Sequence, residues 1–319
     1  MAEADVYTKN YISRNDVFAD IFNFFIYGGD QVIRADSLCD ENIEEIAIVP
    51  LGEEDVETTQ RYRDVLKSCV IKRGEDASYV LLGVENQTHV HYAMPVRCMI
   101  YDALQYSKQT RQAAASHRQD KDTHLTAAEF LSGFTRDDTL TPVITLVVYF
   151  GAERWDAPRS LHQMFGKGAS DERLMRFAPD YPINLIEPAL LSEDQLARFI
   201  TDFRQVMEFL KYSNDKQRIS ALLSEGSPYE SLSTTAALVL NSCAGMGIKI
   251  NQKEEKMNMC KAIQEIRQEG VEKGRAEGEV RGEYNTKVAT ARNFLAMGVL
   301  SIEQIAQGTG LSVGEVAAL

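Results

Sequence analysis

The sequence predicts an α/β layer protein, with helices packed on a mixed sheet, and three observations lead there. Hydrophobic patterns follow one another in the order helix, hairpin strands, helix, buried strand. Residues 141–151, TPVITLVVYFG, form a β-branched apolar run closed by glycine, the signature of a strand covered on both faces. Apolar residues make up 44% of the 319 positions, enough for a sizeable core.

The first element is SRNDVFADIFNFFIYGG, residues 13–29, where Phe18, Ile21, Phe22 and Phe25 recur at helical spacing. Ser13 followed by Asp16 fits a capping box, and Gly28-Gly29 ends the helix. Residues 30–58 read as acidic and irregular, with a short apolar stretch at 46–49. Strands are expected over 62–71 and 79–87, joined by the glycine-containing turn KRGEDA. MPVRCMIYDALQYSKQ, residues 94–109, places Pro95 near a helix start, and 111–124 reads as a polar loop. Residues 187–225 read as helical, with Ser192 and Gln195 as a capping box, and 226–250 as a helical hairpin.

Past residue 250 the character changes. RQEGVEKGRAEGEVRGEY carries Gly270, Gly274, Gly278 and Gly282 at a period of four on a charged helix pattern. Each glycine costs ~1 kcal/mol against alanine in a helix interior, so the stripe needs a close partner helix or serves as a frayed spacer. At the C-terminus, Ser301 with Gln304 and Ser312 with Glu315 form two capping boxes, and Ala306 and Gly310 fit the turn of a helix-turn-helix. No Lys or Arg follows Arg292, which disfavours a DNA-reading helix here and favours a helical cap or oligomerisation element. The organisation expected is a core domain over 1–250, a charged glycine-repeat helical arm or linker over 251–290, and a small helical hairpin over 291–319.

No apolar run is long enough to cross a membrane, and MAEADVYTKN has no basic and apolar leader pattern, so a cytoplasmic chain without a membrane partner is expected. Five scattered cysteines without a C-x-x-C spacing suit a reducing compartment and argue against structural zinc. The net charge of −13 argues against nucleic acid as a partner of the whole surface. Its distribution is uneven: residues 1–59 carry 3 basic and 14 acidic side chains, whereas 60–121 carry 10 basic and 6 acidic. The second segment is a local cationic region of the kind that binds phosphate.

That cationic segment contains carboxylates at strand ends. The apolar run from Tyr79 to Val84 stops at Glu85, and Gln87 shares its strand face, while Val80, Leu82, Val84 and Asn86 face the other way. Asp64 stands on the neighbouring strand candidate, and pairing could bring both acids to one sheet edge. Two such acids raise each other's pKa unless a cation compensates. The compensation is either a hard divalent ion such as Mg2+, or pairing of Asp64 with Arg61, Arg63 or Lys67 and of Glu85 with a nearby base. His89 and His91 share a strand face without an evident third ligand and read as loop or surface residues.

Asp64, then Glu85-Asn86-Gln87 at a strand end, then the helix MPVRCMIYDALQY resembles the PD-(D/E)XK nuclease fold. More narrowly it resembles the Rpn family of recombination-promoting nucleases, also labelled transposases. The first helix NDVFADIFNFFIYGG, the residues Arg97, Tyr101 and Tyr106, the strand TPVITLVVYFG with Trp155, and then YPINLIEPALL and FLKYSND extend the likeness over residues 8–215. The resemblance implies a PD-(D/E)XK restriction-endonuclease-like core with a helical C-terminal extension, and Mg2+-dependent DNA endonuclease activity, with Mn2+ as a substitute. It places Asp64, Glu85, Gln87 and Asp16 in the catalytic site, and Asp64, Glu85 and the Asn86 carbonyl around the metal. Gln87 stands where the wider superfamily has lysine. Lys67, Lys72, Arg73, Arg97, Lys108 and Arg111 are candidates for contacts to the DNA backbone. The expected partners are DNA and, through the C-terminal arm, a second copy. The rival expectation is a catalytically inactive nuclease-fold protein that acts as an interaction module.

Overall fold

The computed structural model of the chain describes residues 2–42, 44–50, 56–62, 64–73, 76–119, 125–166 and 171–319. It divides into two compact units, Met1–Met259 and Cys260–Leu319.

The first unit opens with α1 (Ala2–Ile12), a helix not marked in the sequence, and α2 (Asn15–Tyr27), the helix expected within residues 13–29. The Ser13 capping box does not form. The Ser13 hydroxyl instead donates to the Lys9 carbonyl in the last turn of α1, and Arg14 occupies the cap position of α2 without a side-chain bond. Gly28 ends α2 in the left-handed region at φ 64°, a conformation that costs glycine little.

Strands β1 (Leu38–Asp40), β2 (Glu44–Pro50) and β3 (Val56–Tyr62) follow, so the acidic segment expected to be irregular holds an antiparallel hairpin, β2 with β3. Next come β4 (Val65–Arg73) and β5 (Asp76–Gln87), an antiparallel pair with Val65 opposite Val84 and Arg73 opposite Asp76. Lys72 and Arg73 therefore belong to a strand by backbone, not to the turn; their side chains and the turn residues Gly74 and Glu75 lie outside the described residues.

The helix α3 (Met94–Gln119) runs ten residues beyond the expected end, through the alanine- and glutamine-rich stretch read as a loop. Strong helix formers there outweigh the polar composition. The unit continues with α4 (Ala127–Ser132), β6 (Val143–Tyr149), α5 (Glu172–Met175) and β7 (Asn184–Ile186). After these come α6 (Glu193–Leu196), α7 (Phe203–Tyr212) and α8 (Lys216–Leu222). The last elements of the unit are β8 (Leu232–Ser233), α9 (Thr234–Ala244) and β9 (Lys256–Met257). The helical hairpin expected over 226–250 is thus a single helix, α9.

One mixed five-stranded sheet, in the order β1-β4-β5-β6-β7, organises these elements. β1, β4 and β5 are antiparallel neighbours, and β5, β6 and β7 are parallel neighbours. Helices cover both faces. On one face, Val147 and Tyr149 of β6 pack with Met94 and Cys98 of α3 and with Trp155. On the other, Asn86 of β5 bonds to Thr8 of α1, and Lys67 of β4 lies over the Phe18 ring of α2. Residues of β5 therefore alternate between α3 and the α1–α2 layer, as the sequence period requires.

The second unit contains α10 (Met259–Met297), α11 (Ile302–Thr309) and α12 (Val313–Ala317). Ala291, Ile305, Ala306, Leu311 and Val316 form its small core. Both C-terminal capping boxes form, at Ser301 with Gln304 and at Ser312 with Glu315, and Gly310 ends α11 at φ 70°. Among the described residues no helix is long and apolar enough to cross a membrane.

Candidate functional site

The register of the central hairpin brings Asp64 to Glu85. Val65 pairs with Val84, so Asp64, one residue earlier, stands at the level of Glu85 one residue later. Asp64 lies in the bend before β4, not within a strand. Its Oδ2 accepts the backbone N–H of Asn86 at 2.9 Å, which ties the bend to the end of β5. Burial raises the Asp64 pKa above the ordinary carboxylate value, and the Asn86 N–H and the Arg97 and Lys9 charges oppose that rise.

Glu85 is fully buried. The sequence pictures it emerging where the apolar run stops, but the first turns of α3 close over the strand end. Arg97, on the second turn of α3, meets it as an ion pair, Nε to Oε2 at 3.0 Å. The same guanidinium lies 5.7 Å from the centroid of the Tyr101 ring, one helical turn on. Burial works against the Arg97 charge, but Glu85, Tyr101 and Asp64 outweigh it and raise the arginine pKa. Burial, reinforced by the Glu85 charge, raises the Tyr101 phenol. Burial and the positive charge of Arg97 lower the His91 imidazole below its ordinary value.

Asn86 and Gln87 complete the strand end. The Asn86 side chain turns to α1, donating to the Thr8 hydroxyl and to the Asp5 carbonyl. The Gln87 amide donates to the Asn86 backbone carbonyl at 2.8 Å. The Thr88 hydroxyl donates to the Asp5 carboxylate at 2.7 Å. Asp5, Thr8 and Lys9 of α1 thus reach this region, and none of them is marked in the sequence by motif or spacing. Asp16 pairs with Arg14 at 2.6 Å and is about half-exposed; its described contacts run to Arg14, while the helical acid that touches the strand end is Asp5.

The six basic residues suggested for DNA contact fare differently. Lys67 is 2% exposed, paired with Asp40 and stacked over Phe18, so it is an internal cation and not a surface contact. The correction follows from register: Lys67 pairs with Leu82, whose side chain faces the α2 layer. Arg97 points at Glu85. Arg111 is exposed on α3, and Lys108 is half-buried, lining a groove with Cys39, Tyr79, Gln105 and Gln112 toward the opposite end of β5.

The oxygens at this strand end, from the Asp64 and Glu85 carboxylates and the Asn86 carbonyl, are hard donors. Such a set suits Mg2+, which takes one or two carboxylates and keeps its waters, better than Zn2+, which prefers nitrogen and sulfur. Among the described residues no three His, Cys, Asp or Glu side chains group to hold a metal, so a cation here would rely on backbone and water for its remaining ligands.

The fold is a mixed α/β sheet flanked by helices, with Asp64 and Glu85 at one level at the end of the β4–β5 pair. Residues 42–228 match the family described as "Putative transposase, YhgA-like", and the chain belongs to that family. This is the family with which the Asp64 and Glu85-Asn86-Gln87 pattern shows its resemblance. No curated protein and no solved structure gives a significant match to the chain.

Proposed function

We propose that the chain is a divalent-cation-dependent DNA endonuclease with a PD-(D/E)XK core, acting in recombination or on mobile elements. The observation that carries this reading is the meeting of Asp64 and Glu85 at one end of the β4–β5 pair, in a member of a transposase-like family. Asp64, Glu85 and the Asn86 carbonyl would hold Mg2+ or Mn2+. When bound, the ion supplies Lewis acidity toward a phosphodiester and lowers the pKa of a bound water.

The chain's own residues do the rest. The Asn86 N–H fixes the orientation of Asp64. Burial beneath α3 excludes bulk water from Glu85 and strengthens every charge interaction there. The Gln87 amide orients a water by hydrogen bonding but brings no charge. Exposed cations on α3, Arg111 first, hold the DNA backbone without reading bases. The C-terminal unit serves association with a second copy, through the long α10.

The test is incubation of purified protein with supercoiled plasmid in Mg2+ or in EDTA, beside Asp64→Ala. Nicking that requires Mg2+ and disappears in the variant is the expected result. The alternative is a nuclease-fold interaction module, which the neutral Gln87 and the engagement of Glu85 by Arg97 favour. Mg2+-independent DNA binding without cleavage by the wild type, at any divalent ion tried, would establish that alternative.

A further inference from the structure

We infer that Arg97, and not Gln87, is the cationic residue of this site: a positioning residue that acts through Glu85. The inference rests on the nuclease reading above and deepens it. Gln87 cannot supply positive charge, and its amide is turned onto the neighbouring Asn86 carbonyl. Arg97 comes from α3, a different element. Its Nε lies 3.0 Å from Glu85 Oε2, and its charge is felt at Asp64 as well. Tyr101, one turn further along α3, holds the guanidinium from the side.

A fully buried carboxylate needs a partner of opposite charge to remain ionised. Arg97 provides such a partner, 3.0 Å from Glu85 Oε2, and so holds the carboxylate in place. A divalent ion that binds Glu85 must share the carboxylate with the guanidinium. Arg97 therefore tunes cation affinity downward while keeping the ligand in place. An arginine suits this task better than a lysine, because its planar fork can hold the carboxylate through one edge and stack on an aromatic ring through its face.

The experiment compares wild type, Arg97→Gln, Arg97→Lys and Asp64→Asn by Mn2+ binding in calorimetry and by steady-state cleavage. With its competitor removed, Arg97→Gln should bind Mn2+ about threefold or more tighter than wild type. Its kcat should fall by about a hundredfold while KM for DNA stays within about threefold. Arg97→Lys should recover most of both changes. A purely structural arginine would leave Mn2+ affinity untouched, and a DNA-contacting one would raise KM; either outcome overturns the inference.

A second measurement is read on the wild type, with the conservative variant needed only for assignment. The Arg97 Nε–H resonance, assigned by its loss in Arg97→Lys, should shift on Mg2+ addition, and a resonance unmoved at saturation also overturns the inference. Asp64→Asn separates the two levels. Cleavage that survives in Asp64→Asn sinks the reading of this strand end as the nuclease site. Cleavage lost in Asp64→Asn but normal in Arg97→Gln sinks only the role of Arg97.

Discussion

Asp20 shows how a single side chain sets the chain's path. It is buried in α2 and accepts the backbone N–H groups of Ile200 and Thr201 and the Thr201 hydroxyl. Those bonds pin the turn between α6 and α7, where the sequence pattern alone suggests one unbroken helix. Asp20→Ala leaves three donors without an acceptor and is expected to cost about 3 kcal/mol, measured by urea unfolding. Burial raises the Asp20 pKa above its ordinary 3.8, against the pull of those hydrogen bonds. A raised folded-state pKa means that the group's stabilisation is complete below the unfolded value and is lost as pH rises through the folded one. The unfolding free energy of wild type relative to Asp20→Asn should therefore decline as pH rises from 3.8.

The cysteines give another test at the residue scale. Burial pushes the Cys243 thiol up to about 11, whereas Cys39 is exposed. A maleimide at neutral pH should label Cys39 before the partly buried Cys243, as read by peptide mass spectrometry.

At the scale of the element, α10 is the anomaly. It is a 39-residue helix whose stripe of Gly270, Gly274, Gly278 and Gly282 has open space where a Cβ would stand, among the described residues. Alanine at all four positions should raise helix stability by ~1 kcal/mol each, seen as higher helicity and a higher melting temperature of the C-terminal unit. If a second copy packs on the stripe, the same change should instead weaken association in analytical ultracentrifugation, because added methyl groups keep the backbones apart. Limited proteolysis should cut first within residues 263–287, since the glycine-interrupted, charged stretch has the weakest local helix propensity.

For the whole molecule, charge decides how DNA is met. The net charge is −13, and the one cationic segment, 60–121, spends the buried Lys67 on Asp40 and Arg97 on the buried Glu85. Binding should accordingly be weak and salt-sensitive, with a log K against log salt slope of about −0.9 per phosphate contact. Lys108→Ala with Arg111→Ala should flatten that slope by about one to two contacts' worth in fluorescence anisotropy, equally for every sequence. Substituting Lys67 should leave the slope unchanged and lower the melting temperature, because its partner Asp40 and the ring of Phe18 are structural. A slope that flattens with Lys67 and not with Lys108 and Arg111 would place the DNA path on the α1–α2 face.

Much of this was determined by local sequence. Alternation along residues 79–87 sets Glu85 and Gln87 on one face of β5 and Asn86 on the other. The boxes at Ser192, Ser301 and Ser312 start their helices, and the β-branched run forms the internal strand β6, between β5 and β7. These features depend on neighbours a few residues apart, so periodicity and side-chain chemistry report them. What tertiary structure alone decided depends on residues brought together by topology. Arg97 meets Glu85 because α3 folds back over the strand it follows. Asp5 and Thr8 reach Asn86 and Thr88 across about eighty residues of chain, because α1 covers the opposite face. Asp20 breaks a helix 180 residues away. Lys67 is hidden because its register with Leu82 turns it inward. Whether a charged side chain is a surface contact or an internal counter-ion depends on which face the register gives it and which helix lies there, and no window of local sequence contains that information.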